Sequence, residues 1–181
     1  MKALTHWPAL LTMAVAGLLA GCSQTVKSPD VADNIHRALD DAGLKKVSVS
    51  QDRDKGVVTL GGHVATDDDK ARAEAIAKSI AGGQVVADQI AVVPPGAESD
   101  ARTINSDLDK GIEQNLDAAL IQSNLHDSVK YAVKNHVVTL TGEVDSQSKR
   151  REAARVAASV PNVQQVVNEL QVKNQKATSS E

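Results

Sequence analysis

Phenylalanine is absent from this chain, and tryptophan and tyrosine occur once each, as Trp7 and Tyr131. Two rings supply neither a stacking platform for nucleic-acid bases nor an aromatic belt at a membrane surface. Cysteine also occurs once, at Cys22, which excludes an internal disulfide, a CxxC redox pair and any multi-cysteine zinc site. A basic excess is missing too: 20 Lys and Arg stand against 23 Asp and Glu, a net charge of −3 that speaks against a nucleic-acid partner. Catalytic signatures are equally scarce. His36, His63, His126 and His136 have no HxH, HxxxH or HExxH neighbour, and no GxSxG, P-loop or GxGxxG pattern occurs. Asp67-Asp68-Asp69 lacks the glycine and the later glutamate of a calcium loop and reads as acidic charge at a helix start. The chain is therefore expected to be non-enzymatic, with no catalytic residues, metal, cofactor or nucleic acid.

What is present begins with a hydrophobic leader. Met1 and Lys2 open it, and residues 8–20 are almost wholly apolar. Thirteen residues span only about 20 Å as a helix, short of the ~30 Å bilayer core, so this segment predicts a secretory signal peptide over 1–21. It ends Leu19-Ala20-Gly21-Cys22, which resembles a bacterial lipobox. That resemblance implies cleavage before Cys22, diacylglycerol on its sulfur and an acyl chain, such as palmitate, on its new amino terminus. Two or more acyl chains hold a protein firmly at a bilayer, each buried CH₂ contributing ~0.8 kcal/mol. By resemblance to Gram-negative lipoproteins, Ser23, being other than Asp, implies sorting to the periplasmic face of the outer membrane. Residues 22–29 read as a polar tether reaching at most ~28 Å.

The rest of the chain repeats itself. Val57-Val58-Thr59-Leu60 recurs 80 residues on as Val137-Val138-Thr139-Leu140, and Gly62, Ala73, Ala77 and Val86 recur as Gly142, Ala153, Ala157 and Val166. Upstream, Ile35, Leu39 and Leu44 match Leu116, Leu120 and Leu125 at an offset of 81. Each copy predicts helix–strand–strand–helix–strand. In the first, Val31, Ile35, Leu39 and Ala42 keep helical spacing with Gly43 as the stop. Val47 and Val49, then Val58 and Leu60, alternate as a hairpin. Thr66 or Asp67 caps a helix whose inner stripe is Ala73, Ile76, Ala77 and Ile80, and Val86, Ile90 and Val92 form the last strand. In the second copy Ile104, Leu108, Ile112, Leu116 and Leu120 predict a longer first helix, and Pro161 closes the second. The expected fold class is α+β, two tandem domains at 30–93 and 105–173. Each is a three-stranded mixed sheet with two helices on one face. Residues 94–104, opening Pro94-Pro95-Gly96, read as a linker, and 174–181 as a disordered polar tail.

The pattern Val-Thr-Leu-x-Gly-x-Val, a polar turn, an alanine-rich helix and Val-x-x-Val-x-Asn/Asp-x-Ile/Leu-x-Val resembles the BON domain. It occurs at 58–64 with 85–92 and again at 138–144 with 163–172, the second copy matching better because Gly82-Gly83 replaces the usual turn in the first. With the lipobox, the chain resembles the dual-BON outer-membrane lipoproteins. That resemblance implies phospholipid binding, outer-membrane integrity, concentration at division sites and support of outer-membrane protein assembly.

Charge suggests where a lipid would bind. Residues 30–93 carry a net −3 and residues 99–173 a net −1. In the second copy Lys149, Arg150, Arg151 and Arg155 cluster on one helix, with Lys130 and Lys134 on the first strand of that copy. Each cation near an anionic headgroup contributes ~1 kcal/mol. Two candidate surfaces for anionic phospholipid stand: this basic patch, to which the charges point, or the long first helix around Ile112, Leu116 and Leu120, which the family resemblance implies. Tyr131 is a further candidate for insertion at the interface. The alternative is an adaptor for the outer-membrane assembly machinery, using the uncovered sheet face or the edge strands at 47–50 and 129–134. An enzyme acting on cell-wall polymers is disfavoured for want of a constellation.

Overall fold

The computed structural model describes residues 27–173, so the leader, Cys22, most of the tether and the tail lie outside the described residues. The first repeat runs α1 (Ala32–Asp41), β1 (Val47–Asp52), β2 (Val57–Val64), α2 (Asp67–Ile80), β3 (Val85–Asp88) and β4 (Ala91–Val92). The second runs α3 (Glu98–Gln122), β5 (Val129–Lys134), β6 (Val137–Val144), α4 (Gln147–Ala158), β7 (Gln165–Asn168) and β8 (Gln171–Val172). This is the expected α+β fold in two tandem copies. In each, the central strand pairs antiparallel with the first strand and parallel with the last. The last strand is broken into two pieces, β3 with β4 and β7 with β8, that follow one edge of the central strand. Among the described residues no helix is long and apolar enough to cross a membrane.

Local chemistry sets the boundaries. The Thr66 hydroxyl accepts from Asp69 N at the start of α2, and Ser146 accepts from Lys149 N at the start of α4. Asp88 Oδ1 accepts from Ile90 N at 3.1 Å and Asn168 Oδ1 from Leu170 N at 3.2 Å, so each break in the edge strand is a side-chain-closed turn. Gly62 (φ +88°) and Gly142 (φ +117°) occupy equivalent places where the central strand crosses the preceding loop. A methyl group at Gly62 would meet Lys46 O at 2.1 Å, and one at Gly142 would meet Ser128 O at 2.6 Å.

Each core is aliphatic and lies between the helix pair and one face of the sheet. Ile35, Leu39, Val58, Leu60, Ala73, Ala77 and Ile90 fill the first, and Ile112, Leu116, Leu120, Val138, Leu140, Ala153 and Ala157 the second. Alanine at the two central positions of α2 and α4 lets those helices lie close against the strands. The opposite sheet faces meet each other in a small buried cluster of Val57, Ala87, Val137 and Val167. Around it, Asn135 Nδ2 donates to Gln89 O at 2.7 Å and Lys55 Nζ pairs with Glu169 Oε2 at 2.5 Å. Since Lys55 and Asn135, and Gln89 and Glu169, are 80 residues apart, the two domains are related by an approximate two-fold axis. The sheet faces expected to be free for a partner are thus turned toward one another.

One further expectation is corrected. The segment expected as linker is a turn only as far as Ala97, because α3 starts at Glu98 and runs for 25 residues. The longer helix expected from Ile104, Leu108, Ile112, Leu116 and Leu120 is present, but Ile104 and Leu108 stand 59% and 39% exposed, because the core beneath α3 begins only at Ile112.

Asp88 is the one buried charged residue among those described. Burial pushes its carboxyl above the usual range, offset by the Ile90 N–H and Lys70 and reinforced by Glu74. The folded state then binds a proton more tightly than the unfolded chain. The associated stability is full below the unfolded carboxyl pKa and is lost as pH rises through the folded value. In the second domain the equivalent Asn168 donates to Arg150 O at 3.0 Å, a bond an ionised Asp88 cannot make toward Lys70 O. Asp88→Asn should therefore stabilise the fold by about 0.5–1.5 kcal/mol at neutral pH, a gain that shrinks toward roughly pH 4. Urea unfolding at the two pH values checks this. Gly142→Ala should cost more than about 1 kcal/mol in the same assay, from backbone strain and the clash with Ser128 O.

Candidate functional site

The basic residues of the second domain do not form one patch. On α4, Arg151 and Arg155 are exposed a turn apart, while Lys149 pairs with Asp145 at 3.2 Å, holding that carboxyl below its usual range. Arg150 is partly buried, its Nη2 donating to Asn168 O at 3.1 Å, so it belongs to the packing between α4 and β7. This removes Arg150 from the expected lipid-binding set. Lys130 and Lys134 are exposed on β5, whose Val129, Tyr131 and Val133 pack toward the helices. Alternation along the strand puts both lysines on the sheet face opposite α4, away from Arg151 and Arg155.

The expected apolar contacts are also relocated. Ile112 and Leu116 are 1% and 0% exposed, so both are core residues and neither reaches a lipid. Tyr131 is half-buried, and its hydroxyl donates to Asp117 Oδ1 at 3.1 Å. Burial, then the Asp117 carboxylate, pushes its phenol up. His126 Nε2 lies 3.1 Å from the same oxygen, so Asp117 ties α3 to the second hairpin, and Tyr131 is a packed strand residue rather than an inserting one.

The surface that sequence reasoning missed is the first half of α3. One side carries exposed Ile104 and Leu108, adjacent at i,i+4. Another carries Arg102, Asn105, Asp109 and Lys110 toward the first domain. There they line a cleft of about 560 Å³, closed by His63 and Ala91 of the first domain and by Lys134 and Asn135 at the β5–β6 turn. Asp109 builds its wall: Oδ2 accepts from Asn135 N at 2.8 Å and Oδ1 from His136 N at 2.9 Å. Both turn residues are left-handed, at φ +46° and +65°, so this carboxylate holds a strained pair in place. Arg102, Lys110 and Lys134 stand against Asp109 and Glu113, a net +1 along the cleft, and Lys110 is itself paired with Asp107 at 3.3 Å.

The other histidines have ordinary partners or none of a metal-binding kind. His36 sits 3.3 Å from Asp40 on α1. Among the described residues no cluster of three His, Cys, Asp or Glu side chains is arranged to hold a metal ion. Asp69, within the acidic run, accepts from the Thr66 hydroxyl at 2.9 Å and completes the α2 cap.

The BON domain family model matches residues 28–94 and 108–174. Among curated proteins, the chain is similar to Osmotically-inducible protein Y of Escherichia coli strain K12. The two are 30% identical over 137 residues, covering 75% of this chain and 67% of that one. Among solved structures, it aligns with the C-terminal domain of CdsD, the structural protein of the type III secretion system of Chlamydia trachomatis. That match has 14% identity and a TM-score of 0.32, and covers 78% of this chain and 65% of that one. A second CdsD structure aligns with a TM-score of 0.33 and 14% identity, covering 78% of this chain and 61% of that one. This chain thus spans less than two thirds of either solved chain.

If Asp109 is the brace described, Asp109→Ala leaves two backbone N–H groups of a strained turn without their acceptor. It should cost about 1–3 kcal/mol in chemical denaturation, and the largest amide shift changes should fall at Asn135 and His136.

Proposed function

Because the chain belongs to the BON domain family in both of its halves, we propose that it is a two-domain binding module of the bacterial envelope. In this reading a lipidated Cys22 anchors it on the periplasmic face of the outer membrane, where it binds anionic phospholipid. It contributes to outer-membrane integrity under stress, in keeping with a relative named for osmotic induction. Its work is recognition, without turnover of a substrate.

One observation carries the lipid reading: α3 exposes Ile104 and Leu108 one turn apart, on a side of the helix separate from the one that lines the cleft. Entering the headgroup region returns apolar area at roughly 25 cal/mol per Å², and each cation near anionic lipid adds ~1 kcal/mol. The α4 surface supplies Arg151 and Arg155 alone, an electrostatic contribution that salt screens. A short tether keeps either surface at high effective concentration near the bilayer, so modest intrinsic affinity suffices. A second reading, the adaptor for outer-membrane protein assembly, draws on β1 and β5, each paired on one side only within its sheet.

Flotation of the unlipidated chain from Ser23 onward with vesicles separates the candidates. On phosphatidylglycerol vesicles, Ile104→Asp with Leu108→Asp should reduce binding about tenfold or more, since two apolar contacts become two repelled charges. Arg151→Glu with Arg155→Glu should reduce it less and only at low salt. The reverse ranking would move the site to α4, and no flotation of the parent chain would reject the lipid reading. In cells, Cys22→Ser should abolish acyl labelling and release the protein from envelopes in plain buffer.

A further inference from the structure

The cleft beside α3 shares His63 and Val93 with a second cavity of about 370 Å³, cut into the first domain between the α1–β1 loop and the start of α2. Four stretches of chain distant in sequence thus meet on one concave surface. Lys45 and Lys46 stand at one end, Arg102 and Lys134 at the other, and His63 lies between them. The charged group of each of these four cations has no ion-pair or hydrogen-bond partner among the described residues. Most of the opposing charge is engaged. Asp69 accepts from the Thr66 hydroxyl, both Asp109 oxygens accept from the β5–β6 turn, and Lys110 is paired with Asp107. Among the lining residues Glu113 is the carboxylate left without a partner. Lys45, Lys46, Arg102, Lys110 and Lys134 against Asp69, Asp109 and Glu113 give the joined cavities a net +2, in a chain whose net charge is −3.

The duplication supplies an internal comparison. In the second copy the loop that replaces Lys45-Lys46 reads His126-Asp127-Ser128, and Glu143 stands at the place of His63. Asp52 faces Val57 across the first hairpin as Lys134 faces Val137 across the second. Lys149 and Lys173 of the second copy are both drawn to Asp145. The fold therefore does not demand positive charge here, since the same scaffold carries the opposite sign in its sister. Single lysines on a convex surface are ordinary, whereas cations gathered in a concave site focus potential on whatever enters it. Cavities of this size take a small molecule or a headgroup rather than a folded chain. Leu44, Ala91, Val93 and Pro95 supply uncharged wall between the two pairs of cations.

We infer that the joined cavities bind a ligand carrying two phosphate groups on an uncharged spacer, one phosphate at Lys45 and Lys46 and the other at Arg102 and Lys134. Ammonium and guanidinium groups form charge-assisted hydrogen bonds with phosphate oxygens, and His63 and Asn105 face the spacer. Once the first phosphate is held, the second contact is intramolecular, so a bisphosphate outbinds the matching monophosphate. A free sugar bisphosphate and the headgroup of a dimeric phospholipid share this chemistry. The site is separate from the exposed Ile104 and Leu108 and stands whether or not that face binds lipid.

Amide shifts of the unlipidated chain from Ser23 onward report the occupant. Fructose 1,6-bisphosphate should move Lys46, His63, Asn105 and Lys134 and bind about tenfold more tightly than fructose 6-phosphate. Lys46→Gln and Lys134→Gln should each bring its affinity down to that of the monophosphate. Lys130→Gln, on an exposed lysine outside the cavities, should leave it unchanged. So should Ile104→Ser with Leu108→Ser, which removes the apolar face proposed for the bilayer and so separates the two readings. Bicelles containing cardiolipin or phosphatidylglycerol at equal charge identify the source. Larger shifts at Lys46 and Lys134 with cardiolipin make a lipid headgroup the ligand, and shifts with the sugar and neither lipid make it a soluble one. Equal affinity for the two sugar phosphates, shifts as large at Lys130, Arg151 and Arg155 as in the cavities, or no shifts with either sugar or lipid would overturn the proposal.

Discussion

The contact between the two bare sheet faces governs the arrangement of everything else. Val57 and Ala87 meet Val137 and Val167 in a cluster too small to be a core of its own. Yet it brings two closed domains into one fixed relation, reinforced by Gln165, Asn135 and the Lys55–Glu169 pair. The side chain of Glu169 is only 11% exposed, so this pair is screened less than a surface bridge, and it holds the Lys55 ammonium above its usual range. With the faces so joined, the first half of α3 runs beside the first domain, and the cleft follows. A family whose members carry one such domain would have no equivalent of that cleft.

Duplication left a record in the backbone. Gly43, Gly56 and Gly82 are left-handed in the first copy, and Asn124, His136 and Asn162 adopt the same conformation at the matching turns of the second. Glycine reaches that region without steric cost but loses more entropy on folding, whereas Asn and His accept local strain in return for a stiffer unfolded chain. His136 tolerates its turn because Asp109 secures its amide. The copies have thus kept their geometry while changing the residues that enforce it. Divergence at other matched positions, among them Asp88 against Asn168 and Val85 against Gln165, gives each domain its own hydrogen-bonding chemistry.

Much of the fold could be read from periodicity. The alternation at Val58 and Leu60, the stripe at Ala73 and Ala77, the Thr66 cap and the stop at Gly43 are local signals, and local physics decides them. The long helix shows where such signals end. Ile104, Leu108, Ile112 and Leu116 keep one helical spacing, and nothing in that spacing marks where the supporting sheet begins, so buried and exposed members looked alike. The proline pair announced a break but not how soon a helix would resume. The basic cluster on α4 misled for a related reason: the partner that claims Arg150, the Asn168 carbonyl, is 18 residues away across the sheet. Gln165 was visible only as a departure from the repeat, without a sign that its amide would bond across to Val86 O and Asp88 N of β3.

The connection between the domains has a mechanical consequence. A coil between them would stretch and absorb load. Here the compliant part is the turn at 94–97, and beyond it stands a rod of 25 residues, about 37 Å long at 1.5 Å per residue. The exposed turns of that rod lie next to its pivot, where a small tilt produces little travel, while its far end is embedded in the second domain. Tension applied through the amino terminus would thus be shared between this helix and the direct contact of the two sheets, and neither is slack.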